Sequence, residues 1–414
     1  MAQTKRSFPL VAGALGVVAL LAGCASGGGS AAPTEQASAD TENFDWSTVE
    51  PVELTVSHIF SPGATSTNLI EDWMEAVTEQ TEGKVTFDYY PTATLHPAPE
   101  ALSAMQTGLT DITFVSHGYW PDQLPVSNWD DIVVQHALAD FGYPNMNVAG
   151  IGQQLVHYAN DSSAAAEAEQ QGFKTLIPML SGPAALTCTE KFETPEDLKG
   201  RQVRVSNAIA QGENESLGMV GVFMPPNEQY EALQRGVLNC AVNAVTTILT
   251  QDLLSVAPWV ALLDTAPSSG ANWAISTTAW DSLIPEVQTV LLDARYAPME
   301  RFAKDTLDSY AELVPATEKA GGGIVDPAEF NPIIKDWWDE QPDPASIAPD
   351  SVKDPDAEIE QTNATAQAWW DFSVDTLKVP VDNDDILEVL GLGSGVVEDW
   401  DAWREALVDG LGKQ

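Results

Sequence analysis

The sequence predicts an α/β protein of two α/β domains with a long helix toward its C-terminal third. Three observations carry that expectation. Residues 52–116 and 202–241 each alternate three short apolar runs with two helix-like segments, and crossovers that short give parallel strands covered by helices. At 414 residues, 44% of them hydrophobic, the chain exceeds one ordinary domain and can bury real cores. Pro285 to Tyr310 carries Val287, Val290, Leu291 and Tyr296 among its apolar positions and reads as one long helix.

The chain opens on Lys5 and Arg6, followed by an apolar run from Phe8 to Leu21 that is shorter than the ~20 residues a membrane-spanning helix needs. It ends Leu21-Ala22-Gly23-Cys24. That ending resembles a bacterial lipoprotein signal: residues 1–23 are expected to be removed and Cys24 to carry lipid. Residues 24–49, rich in Gly, Ser, Ala and acid, are expected to form a flexible tether. No later stretch is long and apolar enough to span a membrane.

Val52 to His58 alternates as a strand. Leu69, Trp73 and Val77 then mark one apolar helical face, closed by Gly83. Val85–Tyr89, a helix at Pro97–Gly108 and a strand at Asp111–Ser116 complete the first unit. The loop His117-Gly118-Tyr119-Trp120-Pro121 follows at the carboxyl end of that strand, where open α/β sheets bind ligands. A helix over Val148–Gly172 and a strand over Lys174–Leu180 come next. In the second unit Thr194, Pro195 and Asp197 make a helix start. Gln202–Val205, Val220–Met224 and Val237–Ala241 are strands. Asn207–Leu217 and a segment capped by Asn227 are helices. Trp273–Thr277 and Ile324-Val325 read as later strands. Ile359–Lys378 and Glu398–Leu411 read as helices, and Trp337-Trp338, Trp369-Trp370, Trp400 and Trp403 as helix-packing residues.

Charge excludes several functions. There are 18 Lys+Arg against 61 Asp+Glu, a formal net charge of −43. Nucleic acid and anionic lipid heads call for clustered cations and are excluded as partners. Any anionic ligand must be held by local positive charge against the global field. No metal-site spacing occurs among the five histidines, and there is no Cys-x-x-Cys, nucleophile elbow or phosphate loop. Neither a metal nor a cofactor is expected. Cys188 and Cys240 both fall on predicted strands; if those strands are neighbours a disulfide is feasible, and otherwise the two are buried free thiols.

The run DLKGRQVRVSNAIAQGENESLGMVGVFMPPNEQYEALQRGVLNCAVN, residues 197–243, resembles the solute-binding proteins of tripartite ATP-independent periplasmic (TRAP) transporters. So do Thr81 to Val85, Gly108 to Ile112, and Gly118 to Pro121. The resemblance covers about residues 50–330 and fades beyond. It implies a periplasmic-binding-protein-like fold with a ligand cleft between the domains and a long connecting helix. Domain I would be 50–175 plus about 267–315, and domain II 176–266 plus about 316–414 with a C-terminal helical extension. It further implies capture of an organic acid, delivered to an ion-gradient-driven TRAP permease by a protein anchored outside the cell membrane. Arg204 matches the family arginine that grips a carboxylate through its bidentate fork. Asn207 and Asn243 match amide positions beside it. Pro226 and Asn227 fall where the family packs a side chain on the ligand, and His117 and Trp120 lie on the facing domain. The segment Ser181 to Ala185 lacks the second arginine of some members, which argues against a simple dicarboxylate. The alternatives are a surface-tethered hydrolase, or a binding component of another transporter or sensor.

Overall fold

A computed structural model describes residues 39, 41, 43–139, 141–158, 162–381 and 386–411; Cys24 and the expected signal and most of the tether lie outside them. Nine strands are found among the described residues: β1 Val52–Ser57, β2 Val85–Tyr90, β3 Ile112–Ser116, β4 Phe173–Cys188, β5 Gln202–Val205, β6 Val220–Phe223, β7 Cys240–Asn243, β8 Trp259–Ser276 and β9 Gly323–Val325. They form one hydrogen-bonded path, β2-β1-β3-β8-β4-β7-β5-β6, with β9 beside β8. Its two halves serve two α/β lobes. β1 is parallel to β2 and β3, and β5 is parallel to β6 and β7, as the short crossovers require.

The sheet is nonetheless mixed, because β4 and β8 run antiparallel through both lobes. The first half of β4 pairs with the last half of β8 next to β3, and the last half of β4 pairs with the start of β8 next to β7. The sequence reading had stopped these strands at Leu180 and started the other at Trp273. Pro178, Gly182 and Pro183 read as breaks, yet they sit amid register shifts between Thr175 and Ala185, where a missing N–H and a kink are tolerated.

Sixteen α-helices are found among the described residues. α1 Thr65–Gln80, α2 Ala101–Gln106, α3 Pro125–Leu138, α4 Asn145–His157 and α5 Ser163–Gln170 belong to the chain before β4. The predicted face of α1 is buried, and Trp73 donates its indole N–H to the Leu291 carbonyl at 2.9 Å. α3 was assigned no element from the sequence, and the helix expected over 148–172 is two helices. α6 Pro195–Leu198, α7 Ala208–Ser216, α8 Gln229–Gln234 and α9 Val245–Thr250 accompany the second lobe. The Thr194–Asp197 capping box forms as expected. α10 Thr277–Ser282 follows β8, and the long helix is split into α11 Pro285–Asp293 and α12 Tyr296–Lys319. The Tyr310 hydroxyl of α12 donates to the Pro183 carbonyl at 2.8 Å, where β4 passes between lobes.

α13 Asn331–Asp339 packs on α7, whereas α14 Pro355–Asp375, α15 Ile386–Leu390 and α16 Trp400–Asp409 lie against α3, α4 and α12. The expectation grouped this whole tail with the second domain; its last three helices pack instead on the first lobe and the connecting helix. The tryptophans account for that. Trp369 fills the space over Gly152, Trp370 meets Phe141, and Trp403 donates to the Val148 carbonyl at 3.0 Å. Cys188 and Cys240 face each other across β4 and β7 and are bonded, with Cα atoms 4.1 Å apart. Among the described residues no helix is long and apolar enough to cross a membrane.

Candidate functional site

Loops at the carboxyl ends of β3, β5, β6 and β7, with faces of α1, α3 and α12, enclose a cavity of about 370 Å³. Arg204 forms part of its floor. Its strand is flanked by β6 and β7, so its side chain runs out beside the ends of both neighbours. It is only 5% exposed. Nε donates to the Met224 carbonyl at 2.8 Å; Nη1 donates to the Val242 carbonyl at 3.0 Å and to Asn243 Oδ1 at 3.1 Å. Nη2 has no hydrogen-bond partner, and no carboxylate lies within ion-pair distance, among the described residues. Burial lowers the guanidinium to about 10, which leaves it charged at neutral pH.

The other residues named from the sequence divide into two groups. Asn207, Asn243 and Pro226 line the cavity. Asn207 is also the N-cap of α7, its Oδ1 accepting from Ala210 N–H at 2.8 Å, and its amide nitrogen has no partner among the described residues. Asn243 accepts from Arg204 and donates to Gln229 Oε1 at 2.8 Å, and Gln229 in turn donates to Gln251. Asn243 thus fixes the arginine from the side.

Asn227, His117 and Trp120 do not line the cavity. Asn227 is exposed in a short 3₁₀ turn, and the helix after it is capped at Glu228. Trp120 packs into the cluster around Leu102, Val115 and Phe173. His117 is 2% exposed and sits behind the wall. Its Nδ1 lies 3.2 Å from Asp131 Oδ2 and its Nε2 3.0 Å from the Asn272 amide nitrogen. Burial works against charge on both His117 and Asp131, and the contact between them offsets it, so the imidazole is raised above its ordinary value. The loop contributes Gly118, Tyr119 and Pro121 to the wall instead.

Sequence reasoning missed two acids on this wall. Asp131 comes from the overlooked α3. Glu213, on α7, is 2% exposed. Its Oε1 accepts from Ala266 N–H at 2.7 Å and from the Trp338 indole N–H at 2.9 Å. Nothing in a chain with 61 acids marked either one. Their burial is set by distant partners, Trp338 over Glu213 and His117 beside Asp131, which only the folded packing reveals.

The lobes meet over the cavity. The Tyr119 ring stands edge-on to Phe223 at 5.4 Å, and a Cβ on Gly118 would lie 3.4 Å from Asn207 Cβ. Among the described residues no cluster of three or more metal-ligating side chains occurs. The arrangement is a chamber lined by the buried Arg204 guanidinium and by the carboxyls of Glu213 and Asp131: a place to bind a small polar solute.

Comparison with known proteins agrees. The chain is 24% identical over 321 residues to a solute-binding protein of Albidiferax ferrireducens, covering 73% of this chain and 88% of the relative. It is 23% identical to the C4-dicarboxylate-binding periplasmic protein of Rhodobacter capsulatus, covering 58% and 70%. Its fold matches a TRAP periplasmic solute-binding protein of Desulfovibrio salexigens with bound orotic acid, with a TM-score of 0.64 and 18% identity over 77% of this chain and 99% of the other. It also matches one from a Sulfitobacter species with bound β-D-galacturonate, with a TM-score of 0.56 and 21% identity over 72% and 98%. The family model of the bacterial extracellular solute-binding proteins, family 7, matches residues 56–341, and the chain belongs to that family.

Proposed function

We propose that this protein captures an organic acid in the interlobe cavity, with the acid's carboxylate on Arg204, and delivers it to a TRAP membrane permease. One observation carries the reading: a buried guanidinium lines the cavity, and no carboxylate pairs with it among the described residues. A buried unpaired cation is costly, and an incoming carboxylate removes that cost. Nε and Nη1 are already engaged with the protein, so the carboxylate meets Nη2, and the Asn207 amide nitrogen, on a residue of the same cavity wall, is a further donor for the ligand. The ligands named for the relatives, galacturonate, orotic acid and C4-dicarboxylates, are all carboxylic acids.

The protein acts as a binder rather than an enzyme in this reading. His117, the histidine at the ligand loop, spends both ring nitrogens on Asp131 and Asn272 behind the wall. The first lobe is taken as residues 50–175 with about 267–315, and the second as 176–266 with the segment from 316 through α13. The protein is exported and tethered by lipid on Cys24; mass spectrometry of the mature N-terminus should find a lipid-modified Cys24, and an unmodified or uncleaved terminus rejects the anchor.

The test of the site is a thermal-shift screen against sugar acids, 2-oxo acids, aromatic carboxylates and dicarboxylates. A binding acid raises the melting temperature by RT ln(1 + [L]/Kd). Arg204→Ala should abolish that shift, since loss of a charge-assisted contact in a buried site costs roughly 3–5 kcal/mol. Unchanged binding by the variant, or hits that include no carboxylate, would sink the assignment.

A further inference from the structure

We infer that Glu213 is the specificity-determining residue of the cavity: it accepts a hydrogen bond from an ammonium or hydroxyl group of the ligand and turns away a second carboxylate. The inference rests on the carboxylate reading of Arg204.

Three observations carry it. Glu213 and Arg204 line the same cavity from the second lobe, yet they are not within ion-pair distance of each other. Each is therefore available to a separate end of one ligand. Glu213 is 98% withdrawn from solvent, at 2% exposed, and both protein donors that reach it, Ala266 N–H and the Trp338 indole, are on Oε1. Oε2 has no hydrogen-bond partner among the described residues, and no Lys, Arg or His pairs with this carboxyl there. An acceptor held in place by two neutral donors, with its second oxygen unspent, wants a donor.

Once Glu213 is ionised, a second ligand carboxylate meets the opposite situation. It would enter a buried chamber beside Glu213, with Asp131, itself paired with His117, on the facing lobe. Like charges in a poorly solvated site cannot both ionise cheaply. The net charge of −43 adds a field of the same sign. A hydroxy or amino acid presents one anion to Arg204 and a donor to Glu213, and the charges then complement.

The experiment uses the full mature chain at about pH 8.5, where Glu213 is ionised, and calorimetric titration with matched straight-chain acids of about four to six carbons: the monocarboxylate, the ω-amino acid, the ω-hydroxy acid and the dicarboxylate of each length. In the wild type the best amino or hydroxy acid should bind at least ~100-fold tighter than the dicarboxylate of its length, the scale on which a buried polar group rejects a ligand it cannot pair. Whether the amino or the hydroxy acid wins identifies the donor. Glu213→Gln keeps an oxygen for Ala266 and Trp338 and should narrow that ratio to below ~10-fold, by weakening the donor-bearing acid and admitting the dicarboxylate. The wild-type ratio needs no variant, so misfolding of Glu213→Gln cannot mask the answer. Dicarboxylates that bind as well as the donor-bearing acids, or a ratio that Glu213→Gln leaves unchanged, overturn the role of Glu213 while Arg204→Ala still abolishes binding. Failure of every acid to bind overturns the Arg204 reading beneath it.

Discussion

Glu213 is where burial and charge conflict most openly. Burial pushes its carboxyl from the ordinary 4.5 up to about 7, only partly countered by the Ala266 and Trp338 hydrogen bonds. The sign of the consequence follows. Below about 4.5 the group is protonated in both the folded and the unfolded chain, and costs nothing. Between about 4.5 and 7 the unfolded chain has shed a proton that the folded one keeps, so stability falls as pH rises, by about 3 kcal/mol in total. Glu213→Gln removes that loss. Urea midpoints at about pH 5 and pH 8 should therefore diverge less in the variant than in the wild type, and identical divergence would show that this carboxyl is not the buried group. Arg204 and Glu213 also mark how far the residue scale is legible. An arginine inside an apolar run is conspicuous, because a strand buried on both faces seldom holds one. A glutamate in a helix is not, and the partner that buries Glu213, Trp338, lies 125 residues away.

At the scale of elements, both β-α-β-α-β units could be read from their periodicity, and their parallel pairing followed from crossover length. The long strands could not. Their prolines and glycines carry the signature of loops, and only the opposite strand shows them to be bulges. α3 was invisible for a related reason: with Ser127, Asp130, Gln135 and other polar groups buried beside apolar ones, it has no clean solvent face for a period to reveal. The loop at the end of β3 was placed correctly over the cavity while its contributing side chains were not, because a loop's position follows from topology and its rotamers do not. Gly118 sits close against Asn207 of the other lobe. Gly118→Ala brings its new methyl to ordinary contact with Asn207 and should bind normally. Gly118→Val has no such room and should hold the lobes apart, weakening acid binding by about tenfold or more with little change in melting temperature of the free protein. X-ray scattering on the ligand-saturated variant would register the wider form; a radius matching the wild type refutes the close contact.

For the whole molecule, the two lobes are joined by β4, β8 and α12, and the register shifts of the two adjacent strands are the place where a hinge motion would bend them. The tail adds a second tie. Trp338 donates to Glu213 on α7 and stands edge-on to His136 of α3 at 5.1 Å, while Trp129 of α3 donates to the Pro344 carbonyl at 2.8 Å. The sequence showed these tryptophans as packing residues but not what they pack on. Helix amphipathicity says that a face is covered and is silent on which distant surface covers it.

The Cys188–Cys240 bond sets a schedule for assembly. It joins β4 to β7, and β7 is the strand beside Arg204, with Ala241 directly opposite the arginine. Such bonds do not persist in a reducing cytoplasm. The link beneath the floor of the cavity therefore forms outside the reducing compartment where the chain is made. A polypeptide still inside the cell lacks the staple beside Arg204, and export is what supplies it.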